Sequence, residues 1–195
     1  DVARLAAVRN AVGKDVVIRI DANQAWQPKE AVKILNKMQE QGLDIELVEQ
    51  PVKAHDFEGL KYVTERSYVP VLADEAVFSP EDAMTIMKMG AADLINIKLM
   101  KAGGLGPAAQ IAAMADAAGV GCMMGCMLES KVGITAAAAL SAGKAVITKN
   151  DLDAADLMAA DPVRGGITYD KDHLVVPDAP GLGIMAIEGW QPLKD

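Results

Sequence analysis

Histidine and cysteine are scarce: two of each, His55 and His173, Cys122 and Cys126, occur in 195 residues. Two histidines leave almost no room for a multi-histidine zinc site and make a Ser-His-Asp triad improbable, so carboxylates and lysines must carry any chemistry. The cysteines stand four apart in an apolar, glycine-bearing run, which matches neither a disulfide framework nor a redox Cys-x-x-Cys pair, and they read as buried thiols. No basic run occurs, and 27 acidic side chains against 19 basic ones give a net charge of −8, which argues against nucleic acid as a partner. A cationic or metal-bridged small molecule fits that balance better. No apolar stretch reaches about 18 residues, and the opening DVARLAAVRN lacks the basic-then-apolar layout of a signal peptide, so no membrane partner is expected and a reducing cytoplasm is the default.

What the chain does have is a strand-like run followed by a helix-like run, repeated at nearly constant spacing. VVIRIDAN (16–23) precedes PKEAVKILNKMQEQG, where Pro28 starts a helix and Gly42 stops it. IELVEQP (45–51) precedes DFEGLKYVTERS, and VPVLADE (69–75) precedes SPEDAMTIMKMG, with Ser79 and Pro80 as a helix start. DLINIKL (93–99) leads through KAGGLG into a helix beginning PAAQIAAM, VGCMMGCM leads into SKVGITAAAALSAG, and AVITKNDLD is a sixth strand candidate. Near-continuous apolar strands alternating with helices imply an α/β fold with a parallel sheet covered by helices, either doubly wound or a (β/α) barrel. At most six strands are present, fewer than a full barrel needs. The expectation is a partial (β/α) barrel over 1–153, followed by a Gly- and Pro-rich irregular arm over 154–195.

In such a barrel the active site lies at the C-terminal strand ends. Four apolar strands end on Asp21, Glu49, Asp74 and Lys98, at steps of 28, 25 and 24 residues, one βα unit each. Taken singly, each acid reads equally as a solvated carboxylate or a helix cap. Together, three converging carboxylates repel unless a cation stands between them, and hard oxygen ligands with room for water suit Mg²⁺. A lysine on the next strand would project beside that metal. The chemistry that uses this set is abstraction of a proton next to a carboxylate, with the metal stabilising the enediolate and an amine, its pKa lowered by nearby positive charge, taking the proton. Asp151 and Asp153 are spaced to share one face of a strand and point at one cation, or to cap a following helix.

RIDANQAW, LVEQP, LADE and NIKLMKAGG resemble consecutive strand ends of the enolase superfamily, muconate-lactonising subgroup. The resemblance implies a barrel of the modified TIM type, Asp21, Glu49 and Asp74 as Mg²⁺ ligands, Lys98 as general base, and Asn23 as a supporting residue that does not ligate. CMLES and the Asp151/Asp153 pair are similar to the dipeptide epimerases of L-Ala-D/L-Glu type, in which the pair receives the substrate ammonium; Cys126, Met127 and Glu129 would then line the pocket. Muconate cycloisomerase, o-succinylbenzoate synthase and N-acylamino acid racemase use the same chemistry, and a non-catalytic metal-binding half-barrel is the alternative from another class. Members of the family also carry an α+β capping domain and earlier barrel strands with a Lys-x-Lys motif. The only lysine before Asp21 is Lys14, so the expectation is an incomplete part of the enzyme, associated with the missing portion or forming a homo-oligomer, with 154–195 packing toward the capping domain. Of the remaining features, KAGGLG reads as a turn that closes beside Lys98, the 11 methionines as core filling, and Trp26 as packing or pocket mouth.

Overall fold

A computed structural model of the chain describes residues 1–189; the end of the expected C-terminal segment, 190–195, lies outside the described residues. The six expected strands form as β1 (Ile18–Asp21), β2 (Ile45–Glu49), β3 (Val71–Ala73), β4 (Leu94–Lys98), β5 (Gly121–Gly125) and β6 (Ile147–Asn150). They pair in chain order, every neighbour parallel, in one six-stranded sheet. Helices α2 (Pro28–Glu40), α3 (Phe57–Thr64), α4 (Pro80–Met89), α6 (Leu105–Ala118) and α7 (Lys131–Ala142) cross between them. Local sequence sets several helix ends. The Ser79 hydroxyl accepts from Asp82 N at 3.1 Å at the start of α4, and Gly90 closes that helix in the left-handed region.

Two elements were not read from the sequence. Helix α1 (Val2–Val12) precedes β1, and Arg9 is its one buried residue. The Arg9 guanidinium donates to four carbonyls, Leu43 O (2.9 Å), Gly13 O (2.8 Å), Val16 O (2.6 Å) and Asp44 O (2.9 Å), and so ties α1 to the loops that enter β1 and β2. A short helix α5 (Leu99–Ala102) follows β4, and α6 begins at Leu105 instead of Pro107 because Gly103 and Gly104, both at positive φ, place the break ahead of it.

The sheet is curled into a half-barrel. Its outer residues, among them Val48, Val71, Ile95, Ile97, Cys122 and Met124, pack with the helices in the main core. The concave face carries a separate small cluster of Leu47, Leu72 and Met123. Curvature is visible in one long bridge: Lys149 on β6 meets Glu46 on β2 at 2.7 Å, although β3, β4 and β5 intervene in the sheet. Glu46 also accepts from Arg19 of β1 at 2.5 Å.

The arm is more ordered than an irregular tail. Strands β7 (Val163–Gly165) and β10 (Ile184–Ile187) pair antiparallel, as do β8 (Thr168–Asp170) and β9 (His173–Val175). A side chain at Gly165, whose φ is +85°, would begin 2.2 Å from Gly183 O, so the first pairing requires glycine there. The arm is fastened to α7 and to the segment just after β6 by Lys131–Asp161 (2.7 Å), by Ile167 N donating to Thr135 Oγ1 (3.1 Å) and by the Tyr169 hydroxyl donating to Leu152 O (2.9 Å). Ala154, Ala155 and Ile167 are buried in the main core. Among the described residues, no helix is long and apolar enough to cross a membrane.

Candidate active site

The register explains how strand-terminal residues spaced along the sequence meet. Asp21 pairs level with Glu49, Glu49 with Leu72, and Ala73 with Ile95. Asp74 therefore stands two residues beyond the partner of Glu49, level with Asn96, and Lys98 stands two beyond Asn96, paired with Gly125. The stagger belongs to tilted barrel strands and keeps all four polar residues on the concave face.

Glu49 and Asp74 are almost fully buried, at 6% and 3% exposure, whereas Asp21 keeps an exposed flank. Asn96 Nδ2 donates to Glu49 Oε1 at 2.7 Å. Lys98 Nζ donates to Asp74 Oδ2 at 2.7 Å, and Lys101 Nζ reaches both Asp74 Oδ1 and the Asp74 carbonyl. Burial, followed by the charges of Asp74 and Asp21, pushes Glu49 up to about 8. Burial and the charges of Glu75 and Asp74 push Asp21 up as well, against a hydrogen bond from Asn23 N. For Asp74, burial would raise the pKa, but the charges and hydrogen bonds of Lys101 and Lys98 outweigh it and hold the carboxyl low.

Lys98 stands among carboxylates. Burial lowers its pKa, yet the hydrogen bond and charge of Asp74, then the charges of Glu49 and Asp21, carry it above the ordinary lysine range. The lysine whose pKa falls is Lys101, chiefly by burial.

Among the described residues, no three His, Cys, Asp or Glu side chains are arranged as a metal-holding group, because Asp74 is turned to the two lysines and Glu49 to Asn96. The residues nonetheless fit a hard divalent cation. Three carboxylates stand at the ends of three adjacent strands, and after burial, the largest cause, neighbouring negative charge raises both Asp21 (Glu75, then Asp74) and Glu49 (Asp74, then Asp21), a repulsion that a shared cation relieves.

A backing layer holds these side chains. Gln50 is fully buried with φ +34°, and its Oε1 accepts from Asp74 N (2.9 Å) and Ala76 N (3.1 Å) while Nε2 donates to Val52 O (3.0 Å). Asn23 and Gln24 turn through the left-handed region after β1, and Gln24 Nε2 donates to Glu75 at 3.1 Å. Trp26 is buried, with its indole N–H donating to Asp1 at 3.1 Å, and it also lines a cavity beside Asp21.

A second group lies past β5 and β6. Regular β6 stops at Asn150, but Asp151 N donates to Met124 O at 2.9 Å and continues the ladder. Asp151 and Asp153 are exposed with Leu152 buried between them, so the two-residue alternation outlasts the strand. The charges of Asp151, Asp153 and Glu129 all bear on half-buried Cys126, whose thiol burial pushes up. Buried Glu129 accepts from Met127 N at 3.1 Å, and Met127 is exposed. The sequence reading missed Asn96, Lys101 and Gln50. The signal for Asn96 was its place two residues before Lys98 on the same strand face, and for Lys101 one turn after it.

A curled sheet of six parallel strands with acids and a lysine at the rim of its concave face defines a partial (β/α) barrel with its polar residues at the C-terminal strand ends. A family model described as "Enolase C-terminal domain-like" matches residues 1–189, and the chain belongs to that family. It is 56% identical over 187 residues to an L-Ala-D/L-Glu epimerase of Clostridium acetobutylicum, covering 96% of this chain and 52% of that protein. The structure of a substrate-liganded L-Ala-D/L-Glu epimerase from Bacillus subtilis superposes with a TM-score of 0.94 at 51% identity, over 96% of this chain and 52% of that one. A dipeptide epimerase from Enterococcus faecalis complexed with Mg and the dipeptide L-Leu-L-Tyr gives a TM-score of 0.92 at 48% identity, over 95% and 52% of the two chains. The chain thus spans about half the length of the curated relatives it matches.

Proposed function

We propose that this chain supplies the metal-binding and proton-abstracting part of a Mg²⁺-dependent dipeptide epimerase of the L-Ala-D/L-Glu type. The observation that carries the reading is the meeting of Asp21, Glu49, Asp74 and Lys98 on one concave face, in a chain about half identical to enzymes of that name. Asp21, Glu49 and Asp74 would hold Mg²⁺, which when bound supplies the positive charge that stabilises the doubly negative enediolate. Lys98 takes the α-proton at Nζ and returns it in the reverse direction. Its contact with Asp74 fixes where Nζ stands, and Lys101 fixes Asp74 in turn. Asn23 supports the Asp21 carboxylate through its backbone N–H.

Asp151 and Asp153 would receive the substrate ammonium, with Cys126, Met127 and Glu129 around it. That pair separates a dipeptide substrate from those of the cycloisomerases and N-acylamino acid racemases, which offer no free ammonium. The arm, 154–195, would pack toward an N-terminal capping domain, and unpaired cysteines suit a cytoplasmic setting.

Inversion needs an acid on the opposite face of the substrate, whereas exchange of the α-proton asks only for Lys98. The test is therefore incubation of the chain with Mg²⁺ and L-alanyl-L-glutamate in D₂O, following the C-terminal residue's α-proton by NMR. Exchange that disappears in Lys98→Ala and on adding EDTA is the expected result. Exchange that persists in Lys98→Ala, or none with Mg²⁺ present, defeats the assignment of Lys98.

A further inference from the structure

Asn96 is 1% exposed and lies on the concave face, paired level with Met123 of the small apolar cluster that Leu47 and Leu72 complete on that face. An apolar residue would suit that setting. Instead an amide is buried there with its two ends treated unequally. Nδ2 donates to Glu49 Oε1 at 2.7 Å across the width of β3, while Oδ1 has no partner among the described residues. A buried acceptor left empty is a cost that leucine would avoid, so the donor is what this position keeps.

The neighbouring strand makes the same point from the other side. A Cβ on Gly125 would fall 2.5 Å from Asn96 Oδ1 and 2.8 Å from Nδ2, so any side chain at that position would displace the amide. Gly125 has no positive φ to explain its being glycine. Its missing side chain is the space that Asn96 occupies.

We propose that Asn96 is a positioning residue for the metal ligand Glu49, and that Gly125 acts only by leaving Asn96 room. The amide N–H fixes one carboxylate oxygen, which leaves Oε2, with no hydrogen bond among the described residues, as the oxygen for a cation. The inference rests on the metal reading of Asp21, Glu49 and Asp74 given above. Hydrogen-bond partners behind metal ligands are commonly worth 10- to 100-fold in affinity.

The test measures Mn²⁺ affinity of the chain by electron paramagnetic resonance, Mn²⁺ standing in for Mg²⁺, in wild type, Glu49→Gln, Asn96→Leu, Gly125→Ala and the Asn96→Leu/Gly125→Ala double variant. Thermal melts confirm that each variant is folded. Asn96→Leu should weaken binding about 10-fold or more. Gly125→Ala should weaken it too, and the double variant should bind no worse than Asn96→Leu alone, because two changes acting through one contact are not additive. A merely structural role would move the melting temperatures and leave the affinities additive. Wild-type affinity in Asn96→Leu, or additive losses in the double variant, overturns the inference while the metal site stands. Unchanged affinity in Glu49→Gln, or no binding by wild type, removes the metal reading itself and the inference with it.

Discussion

Replacing Glu46 with glutamine removes one negative charge from the bridge that draws β6 toward β2, with almost no change of shape. Glu46 accepts from Lys149 at 2.7 Å and from Arg19 at 2.5 Å, and Lys149 keeps only 20% exposure. Two charge-assisted bonds of this kind would gross about 3–6 kcal/mol in a dry interior. Here Arg19 and Glu46 remain 38% and 31% exposed, and solvent screening cuts the net to about 1–2 kcal/mol. With a urea slope of about 2 kcal/mol/M, the unfolding midpoint of Glu46→Gln should fall by about 0.5–1 M at pH 7. The hydrogen bonds and charges of Lys149 and Arg19 hold the Glu46 carboxyl below its ordinary 4.5. The unfolded chain therefore binds the proton first as pH falls, so the stabilisation is complete above pH 4.5 and drains away as pH drops through the lower folded value. Urea melts of both proteins at pH 7 and in acid decide the matter. A midpoint gap of the same size at both pH values would show packing instead of charge, and no gap at pH 7 would show that the bridge contributes nothing to holding the sheet curled.

Arg9→Met should lower stability by about 3 kcal/mol, since it strips the donors from four carbonyls of which two lie in the loop into β2; a thermal or urea melt within 1 kcal/mol of wild type would refute that role. Burial pushes the Cys122 thiol up to about 12, so a disulfide reagent at pH 8 should leave Cys122 untouched in the native chain, label half-buried Cys126 slowly, and label both in urea. Peptide mapping of the labelled protein reads the result, and rapid native labelling of Cys122 would contradict the packing described. Asp153→Asn should sharply raise the Michaelis constant for the dipeptide in the assembled enzyme; an unchanged value would detach the pair from ammonium recognition.

The alternation of strands and helices was legible because buried parallel strands are near-continuous apolar runs and because glycine and proline punctuate them. Helix α1 escaped notice because the face that packs on the core, Val2, Leu5 and Ala6 leading to buried Arg9, is matched by exposed Val8 and Val12, so no single apolar stripe stands out in the sequence. The register steps at β2–β3 and β3–β4 are likewise invisible in a linear reading. They decide that Asn96 meets Glu49, 47 positions away, and that Lys101 closes on Asp74. Strand-terminal acids could be found by spacing alone, but the groups that hold them could not. The partner of Lys98 is set in the same way, by which residue lies across the rim, and that residue is Asp74.

The sheet runs strictly in chain order, so the residues assigned to proton abstraction occupy β1 to β4 while those assigned to ammonium recognition follow β5 and β6 at the other end. Their side chains share no hydrogen bond among the described residues, and changes at separated sites combine with little interference. Under the proposed assignment, the loops after β5 and β6 could be redrawn for a new substrate while the residues of β1 to β4 stay as they are. On that assignment, the residues for proton abstraction and those for substrate recognition stand on separable stretches of one chain.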